Sequence, residues 1–389
     1  MNDVRTTEAW VLTAGEGRRP APATLHLAEV PLGALGDGDA LVEPIFGCWE
    51  ANMSHALSRR PIDVPRARGE DQVVLGNCGL VRVLELGAGA SHLAAGDLCI
   101  IGNGALYDRH GYPEQVWGYD WPGSMGFLAR RSRVAASILL PIPRDSRFTP
   151  RQWAAFGVRY ATAYDNWQVA HACWRTQLSE EDQPTAHVWG WGGGTSLGGA
   201  HLAAVLGHRA VMITSSDRRR AQLEALGIEV VDRRAYPDLR CDERAFGADA
   251  AYREAFARSD DAFHERVLEL TDGLGASIFF DFLGSPLIRT TLRSLARQGV
   301  LTTAGWKEGM QITSMRALEC IRRHLHVHTH YARRDRIAEA MAFAERTGWM
   351  NPVAEDEPVW GFEDVPALAE AYARGEVSSY FPIYQVNPL

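Results

Sequence analysis

The sequence predicts an α/β protein of two domains, one a barrel-type β-domain and the other a doubly wound parallel sheet. Short apolar runs separated by Gly- and Pro-rich turns fill roughly the first 150 residues. Helical and strand patterns then alternate, and a cluster of glycines joins one of these strands to a helix. At 389 residues the chain is long enough for two hydrophobic cores.

The first stretch contains no long amphipathic helix. Its turns are marked by glycine and proline, as in the Gly96-Asp97 turn that precedes an apolar run. These features predict short β-strands at Ala9–Leu12, Ala40–Pro44, Gly79–Glu85 and Asp97–Ile101.

The second stretch predicts a parallel sheet, because helices and apolar strands follow one another. A long polar stretch from Asp232 to Asp272 interrupts the alternation, and we expect it to be partly helical and to lie on the surface. The tail from His324 is again β-rich. The expected domains are 1–151 with 324–389, and 152–323. The expected elements are helices near 152–172, 197–206, 217–226 and 335–347, and strands near 186–190, 210–214, 277–282, 299–304 and 380–386.

The glycine-rich turn after Trp189 indicates the class of cofactor. A turn without side chains leaves the N–H groups at a helix N-terminus free to bind a pyrophosphate. Small residues in the following helix would let it pack closely on the sheet. A plain structural turn is the alternative interpretation. The expected cofactor residues of this turn are Gly190, Gly192, Gly193, Gly194, Thr195 and Ser196.

The end of the next strand favours NADPH over NADH. A carboxylate there would bind a ribose 2′-hydroxyl, whereas arginine suits a 2′-phosphate. Asp217 lies one step beyond the usual carboxylate position, so Ser215, Ser216 and Arg219 are the expected 2′-phosphate residues. Alternatively, the arginines at 218–220 only solvate the start of a helix.

Composition excludes several other classes. The net charge of −8 argues against a general nucleic-acid binder, and the sequence has no apolar run of membrane-spanning length and no signal-peptide pattern. Six scattered cysteines without a CxxC pair fit a reducing cytoplasm. Because Lys307 is the only lysine, anion sites must be built from arginine or backbone.

The order of these domains resembles the medium-chain dehydrogenase/reductase superfamily. The residues that carry the resemblance are the glycine turn, Leu75, Gly76, Gly79, Val81, Gly96, Asp97, Thr162, Ala163 and Tyr164. The resemblance implies a GroES-like catalytic barrel with a Rossmann domain, a cofactor contact at Thr162, and a homodimer or homotetramer.

Many members of this superfamily hold a catalytic zinc through a cysteine and a histidine-glutamate pair. Here Cys48 stands at the cysteine position, but Asn77 and Cys78 occupy the other two positions, and the four-cysteine zinc lobe is absent. We therefore expect a zinc-free member with no metal site.

Within the superfamily, the chain resembles the crotonyl-CoA carboxylase/reductases. The likeness rests on Pro113–Asp120, Val188–Gly190, the long insertion after Asp232 and Val327–Ala332. It implies catalytic roles for Tyr119 and Asp120, where the family has a Phe-Glu pair, for His330, and for Asn52 or its neighbour Ala51. Aspartate is shorter than glutamate, which makes capture of CO₂ doubtful.

The function expected from these residues is NADPH-dependent reduction of an α,β-unsaturated acyl thioester, with CO₂ capture as an added option. Such an enzyme stabilises an enolate and supplies a proton. His330 would donate this proton, and Asp120 would orient His330 or hold a water molecule. A zinc-free quinone or carbonyl reductase, or a nucleotide-binding protein without catalysis, is the alternative. His324, His326, His328 and His330 alternate, so they form either a polar strand face or a metal cluster.

Overall fold

The computed structural model describes residues 5–102, 104–176, 178–309, 311, 321–329 and 331–389. The chain forms two compact units, Met1–Ala161 with Ala332–Leu389, and Thr162–Tyr331. One helix, Pro150–Arg175, contributes residues to both units. The boundaries that the sequence predicts between a catalytic and a nucleotide-binding domain, at 151/152 and 323/324, stay a prediction.

Unit 1, residues 1–161 and 332–389, is built mainly on antiparallel strands. The elements are β1 Thr6–Thr13, β2 His26–Pro31, β3 Asp39–Cys48, α1 Ala51–Ser58, α2 Val64–Arg68, β4 Gln72–Val74, β5 Gly79–Leu86, β6 Leu98–Ile101, β7 Leu106–Tyr107, β8 Pro113–Gln115, β9 Ser132–Ala135, β10 Leu139–Pro141, the start of α3 Pro150–Arg175, α9 Arg334–Thr347, β17 Trp360–Gly361, α10 Val365–Ala373 and β18 Ile383–Gln385. A seven-stranded sheet has the order β10-β6-β5-β3-β18-β17, with β9 also paired to β3, and a three-stranded sheet has the order β2-β1-β4. Only β17 and β18 pair in parallel among the strands described in these two sheets.

The core of unit 1 follows from alternation along its strands. In β1, Ala9 and Val11 are fully buried, while Trp10 between them is more exposed, as a sheet with one covered face requires. Trp49, just before α1, and Met53, within it, pack in the same apolar cluster as Tyr384 of β18. The short helix α1 is therefore held directly against the sheet.

Unit 2 is a parallel sheet with helices. The elements are the end of α3, β11 His187–Trp191, α4 Gly194–Val205, β12 Arg209–Thr214, α5 Asp217–Ala225, β13 Glu229–Asp232, α6 Glu243–Ala248, α7 Ala250–Leu270, β14 Ala276–Asp281, α8 Ile288–Ser294, β15 Leu295–Thr303 and β16 His326–Thr329. The six strands have the order β13-β12-β11-β14-β15-β16, and every neighbouring pair is parallel.

The central strands of unit 2 are buried on both faces, which is why their sequences are continuous apolar runs. All five residues of β11 and all six of β14 are buried. Trp189, Trp191 and Phe279 share a cluster with Phe263 and Val267 of α7. The architecture is thus a GroES-like β-barrel unit and a Rossmann-type doubly wound unit, as the sequence predicted.

Several elements differ from the sequence-based expectation. The tail from His324 is not β-rich, because its described residues contain the helices α9 and α10 and only three short strands, and α8 was not expected. The polar stretch after Asp232 contains α7, whose face at Phe256, Phe263 and Val267 is buried rather than lying on the surface. Strand β13, Glu229–Asp232, was not predicted because two of its four residues are acidic and it is an edge strand. Within the described residues, no helix is long and apolar enough to cross a membrane.

Candidate functional site

The glycine-rich turn joins the end of β11 to the start of α4. Helix α4 begins at Gly194, and its N-cap residue Gly193 has extended backbone angles and provides no side-chain cap. Ser196 Oγ donates to the Trp191 carbonyl at 2.8 Å, which closes the turn. The N–H groups of the first helical turn, including that of Thr195, therefore have no capping side chain at Gly193 and suit an anion.

The glycines of this segment have two different functions. Gly192 has a φ of +121°, a backbone conformation that side-chain-bearing residues rarely adopt, and a Cβ at Gly193 would meet no atom within 4 Å. Gly190 lies inside β11, where a Cβ would lie 3.0 Å from the Met212 sulfur. Gly192 and Gly193 therefore shape the turn, whereas Gly190 permits packing.

Close packing of α4 on the sheet depends on Gly199. A Cβ at this position would lie 2.5 Å from the Phe280 ring of β14. The helix N-terminus is therefore fixed at the carboxyl edge of the strands, the edge where open α/β sheets bind ligands.

The end of β12 brings hydroxyl groups to the same edge. Ser216 caps α5, because its Oγ accepts from the N–H of Arg219 at 3.4 Å. Ser215 is exposed, and its Oγ accepts from Arg233 Nη2 at 3.5 Å. Arg233 directly follows β13, the strand that the sequence did not predict. Its place beside Ser215 became visible only from the pairing of Thr214 with Asp232.

The two carboxylates at this edge are neutralised. Arg234 contacts Asp217 at 2.9 Å and Asp232 at 2.8 Å. Its hydrogen bonds lower the pKa of Asp232, so that carboxylate stays charged and paired. Repulsion between Asp217 and an incoming phosphate is reduced in the same way.

A third strand end adds a turn that the sequence did not single out. Asp281, the last residue of β14, accepts from the N–H groups of Leu283 and Gly284 at 2.9 and 3.0 Å and from Thr291 Oγ1 at 2.7 Å. Burial raises the pKa of Asp281. The loop after β14, which neighbours β11 in the sheet, is therefore fixed by one buried carboxyl group.

In unit 1, Asp120 closes a tight turn. Its Oδ1 accepts from the Val116 N–H at 2.6 Å, while the N–H groups of Tyr119, Asp120 and Trp121 all point to the Val116 carbonyl at 3.2 Å. At least one carboxylate oxygen of Asp120 thus has a structural partner.

The segment around Tyr119 is anchored by a buried arginine. Arg68 donates to the carbonyls of Tyr119 at 3.4 Å and Ser124 at 2.7 Å, and it forms a two-pronged ion pair with Glu70 at 2.8 Å. The half-buried Tyr119 ring packs on the cluster that contains Met53 of α1. The sequence did not identify Arg68 as a support for this segment.

Asn52 lies in the first turn of α1, beside Met53. Its Oδ1 is buried and has no hydrogen-bond partner among the described residues. A buried amide oxygen without a partner is uncommon and marks a place where a ligand or water would be accommodated. The structure places Tyr119 on the apolar cluster that contains Met53, the residue that follows Asn52 in α1.

For the other predicted site residues that it describes, the structure gives a position but no contact that indicates a catalytic or binding role. Thr162 is buried within α3, where its carbonyl accepts from Asn166 Nδ2 at 2.9 Å. His330 lies outside the described residues. Of the alternating histidines, His326 and His328 lie in β16 with the exposed Val327 between them, and His324 precedes the strand with a φ of +56°.

The position expected for a catalytic zinc contains an arginine that the sequence did not single out. Arg159 of α3 donates to the Cys48 sulfur at 2.7 Å and to the Trp49 carbonyl at 2.6 Å, and it contacts the Glu50 carboxylate at 2.7 Å. Both charged side chains are less than a tenth exposed. The guanidinium therefore supplies the positive charge beside Cys48.

Cys78 completes this buried cluster. Hydrogen bonding to Cys48 and burial raise the pKa of Cys78, and burial raises the pKa of Glu50 against the opposing effect of Arg159. Among the residues that the structure describes, no group of three His, Cys, Asp or Glu side chains is arranged to hold a metal ion. With Asn77 and Cys78 as neighbours and Arg159 bound to Cys48, these residues do not fit a zinc ion.

Comparison with known proteins agrees with this architecture. A family model described as zinc-binding dehydrogenase matches residues 194–346. Crotonyl-CoA reductase of Streptomyces collinus is 24% identical over 309 residues, which is 74% of this chain and 65% of that protein. A phenolphthiocerol/phthiocerol polyketide synthase protein of Mycobacterium tuberculosis is 27% identical over 187 residues, 48% of this chain and 7% of the synthase protein. The chain thus spans less than two thirds of either relative.

Solved structures match nearly the whole chain. Crotonyl-CoA carboxylase/reductase AntE in complex with NADP is 21% identical, with a TM-score of 0.76 and coverage of 98% of this chain and 95% of that one. The 2-octenoyl-CoA carboxylase reductase CinF, in complex with NADP and 2-octenoyl-CoA, is 19% identical, with a TM-score of 0.76 and coverage of 98% and 87%. The chain therefore has the fold of the medium-chain dehydrogenase/reductase superfamily and is similar, within it, to the crotonyl-CoA carboxylase/reductases.

Proposed function

We propose that this protein is an NADPH-dependent oxidoreductase that reduces the double bond of an α,β-unsaturated acyl thioester. The observation that carries the proposal is the carboxyl edge of the unit 2 sheet. There the open glycine turn at Gly192 and Gly193 and the uncapped start of α4 suit a pyrophosphate, and Ser215 with Arg233 suits a 2′-phosphate. Structures of similar fold were solved with NADP.

Arg233 joins Ser215, Ser216 and Arg219 as a 2′-phosphate residue in this proposal. A guanidinium matches a phosphate by paired hydrogen bonds, and arginine stays charged at any physiological pH. Asp217 is paired with Arg234, so this carboxylate repels an incoming 2′-phosphate less.

The bound nicotinamide would supply a hydride to the β-carbon of the substrate. The chain must then stabilise the negative charge that develops on the thioester oxygen. Preorganised hydrogen-bond donors give the largest stabilisation of this kind. Asn52, at the start of α1, is proposed for this role through its side-chain NH₂ group, which can donate hydrogen bonds to an oxyanion. Tyr119 keeps the catalytic role that the resemblance implies, and His330 is the proposed proton donor.

Protonation of the α-carbon is favoured over capture of CO₂. The Asp120 Oδ1 accepts from the Val116 N–H within its own turn, so Asp120 is in part a structural residue. We therefore propose simple reduction, to the saturated thioester, as the principal outcome. The acyl thioester specificity rests on the similarity to crotonyl-CoA reductase and CinF.

The test is oxidation of NADPH with crotonyl-CoA and 2-octenoyl-CoA, with and without bicarbonate, followed by mass analysis of the thioester. The proposal expects NADPH to be consumed in proportion to a product heavier by two hydrogens in both conditions. A carboxylated product with bicarbonate would instead assign CO₂ capture.

Controls separate the parts of the proposal. NADH in place of NADPH tests the 2′-phosphate residues, and a quinone acceptor such as 1,4-benzoquinone tests the alternative reductase. Consumption of NADPH with the quinone but with no thioester would overturn the substrate class while keeping the cofactor.

A further inference from the structure

A second charged site lies on the opposite edge of the unit 2 sheet from the glycine turn. It is an open cavity of about 630 Å³ next to Gly275, which precedes β14, and Leu295, which begins β15. Strand β14 has six residues, so the two edges are about 20 Å apart at roughly 3.3 Å per residue. The cavity is therefore distinct from the proposed cofactor site.

Arginine dominates the lining of this cavity. Five arginines line it, together with His264 and a single carboxylate, Asp260; the arginines are Arg289, Arg293, Arg297, Arg322 and Arg323. The chain as a whole carries a net charge of −8. A concentration of positive charge in a concave site of an acidic protein attracts anions, because the walls focus the field.

The carboxylates nearby do not neutralise all these cations. Asp260 is buried and already bound by Thr290 Oγ1 and Arg293, both at 2.6 Å, and Arg293 also contacts Asp261 at 2.7 Å. Arg289 is paired with Glu243 at 2.8 Å. These pairs orient two of the guanidinium groups, and a third, that of Arg323, donates to the main-chain carbonyls of Leu292, Arg293 and Leu295.

Arg297 and Arg322 are the cations that remain available. Within the described ranges, neither forms an ion pair with a carboxylate, and both are exposed; Arg297 contacts only His324, at 3.3 Å. Burial and the charge of Arg293 lower the pKa of His264, whose buried Nδ1 has no described partner. The site thus holds free positive charge and an unpaired ring nitrogen.

The remaining wall is apolar. Phe256, Leu268 and Leu274 line it, and Leu274 is half exposed. The volume is within the range of about 300–1,000 Å³ that small-molecule sites have. A ligand that combines phosphate groups with a flat organic part would match both walls.

We propose that this cavity is a second ligand site, which binds a phosphorylated organic molecule of about nucleotide size. Arg297 and Arg322 bind its phosphate groups, and the apolar wall of Phe256, Leu268 and Leu274 covers its ring. The proposal does not depend on the reaction proposed above.

Isothermal titration calorimetry with adenosine 3′,5′-bisphosphate and with inorganic pyrophosphate tests it. The variants are R297Q/R322Q, the control R258Q on the exposed side of α7, and R233Q at the carboxyl edge of the sheet, where the cofactor site is proposed. We expect R297Q/R322Q to bind the bisphosphate about tenfold more weakly or worse, and R258Q and R233Q to bind it as the wild type does. We also expect pyrophosphate to bind more weakly than the bisphosphate.

Three results would overturn the proposal. The first is that the wild type binds neither probe, and the second is that R297Q/R322Q binds both as tightly as R258Q does. The third is that R233Q alone loses binding, which would place the probe at the carboxyl edge of the sheet. Circular dichroism of each variant confirms that lost binding is not lost folding.

Discussion

The Arg159 guanidinium lies 2.7 Å from the Cys48 sulfur and also contacts the Glu50 carboxylate, at the position where the sequence resemblance implied a zinc-binding cysteine. A fixed guanidinium cation thus lies beside Cys48. Because the arginine also donates to the Trp49 carbonyl, it connects α3 to the turn that leads into α1 and Asn52. The same contact therefore supports the segment that carries a proposed catalytic residue.

Replacing Arg159 with methionine should destabilise the protein by about 3–5 kcal/mol, because Glu50 would be left charged and buried without its partner. Urea unfolding measures this loss. The double variant R159M/E50Q should recover part of it, since no charge is then stranded. Equal stabilities of R159M and the wild type would contradict the buried pair.

Replacing Arg233 with glutamine should weaken NADPH binding by about tenfold or more and leave NADH binding unchanged, because only NADPH carries the 2′-phosphate. Fluorescence titration of both nucleotides measures the two affinities. R258Q, an exposed arginine of the same unit, is the matched control. If R233Q reduced both affinities equally, its effect would be structural.

Replacing Gly192 with alanine should cost stability and also cofactor affinity, since its φ of +121° strains any side-chain-bearing residue. Gly207, with a φ of +83°, is a matched position away from the turn. We expect G192A and G207A to lose similar thermal stability, about 1–3 kcal/mol. Only G192A should bind NADPH about tenfold more weakly. Unchanged binding by G192A would argue against the turn as the pyrophosphate site.

Asp120 provides a test that separates structure from chemistry. Asparagine keeps the oxygen that accepts from the Val116 N–H, whereas alanine removes it. D120N should therefore keep thioester reduction within about twofold, while D120A should lower the unfolding free energy by about 1 kcal/mol. Should D120N fold normally but lose turnover, the carboxylate itself would take part in the reaction.

Stability should decrease in mild acid because of His201, whose pKa burial lowers from 6.5 to about 4. Above pH 6.5 neither state is protonated, so the full stability is present. Between 6.5 and about 4 only the unfolded state gains the proton, which costs up to about 1.4 kcal/mol per pH unit. Urea unfolding at several pH values measures how steeply the free energy of unfolding falls with decreasing pH. This dependence should be shallower for H201Q than for H26Q, a control variant at an exposed histidine. Equal slopes would exclude His201 as a source of this pH dependence.

Local patterns predicted most strands of unit 2 and the helices α4 and α5, since β11 and β14 are buried apolar runs and α4 follows a glycine cluster. They gave no helix at α8. They failed at β13, because an edge strand with acidic residues lacks the apolar signal. They also missed the buried face of α7, where Phe263 and Val267 are separated by polar residues.

Residues that act through distant contacts were not predictable. Arg159 and Arg233 are ordinary arginines in the sequence, and only the pairing of strands and the placement of α3 reveal their partners. By contrast, the glycine turn carries its own signal, because backbone conformation is encoded in residue type. The catalytic role expected for Asp120 stays a prediction, and its hydrogen bond with the Val116 N–H gives it a structural role in part.

The near-exclusive use of arginine as the basic residue has a consequence for how this protein would respond to its surroundings. Guanidinium groups do not lose their protons in proteins, so Arg233, Arg297 and Arg322 hold constant charge from mildly acidic to strongly alkaline solution. Anion affinity at either sheet edge should then vary with ionic strength and hardly with alkalinity. Reagents that acylate amines would leave these arginines untouched, since the chain offers such reagents one lysine side chain, Lys307.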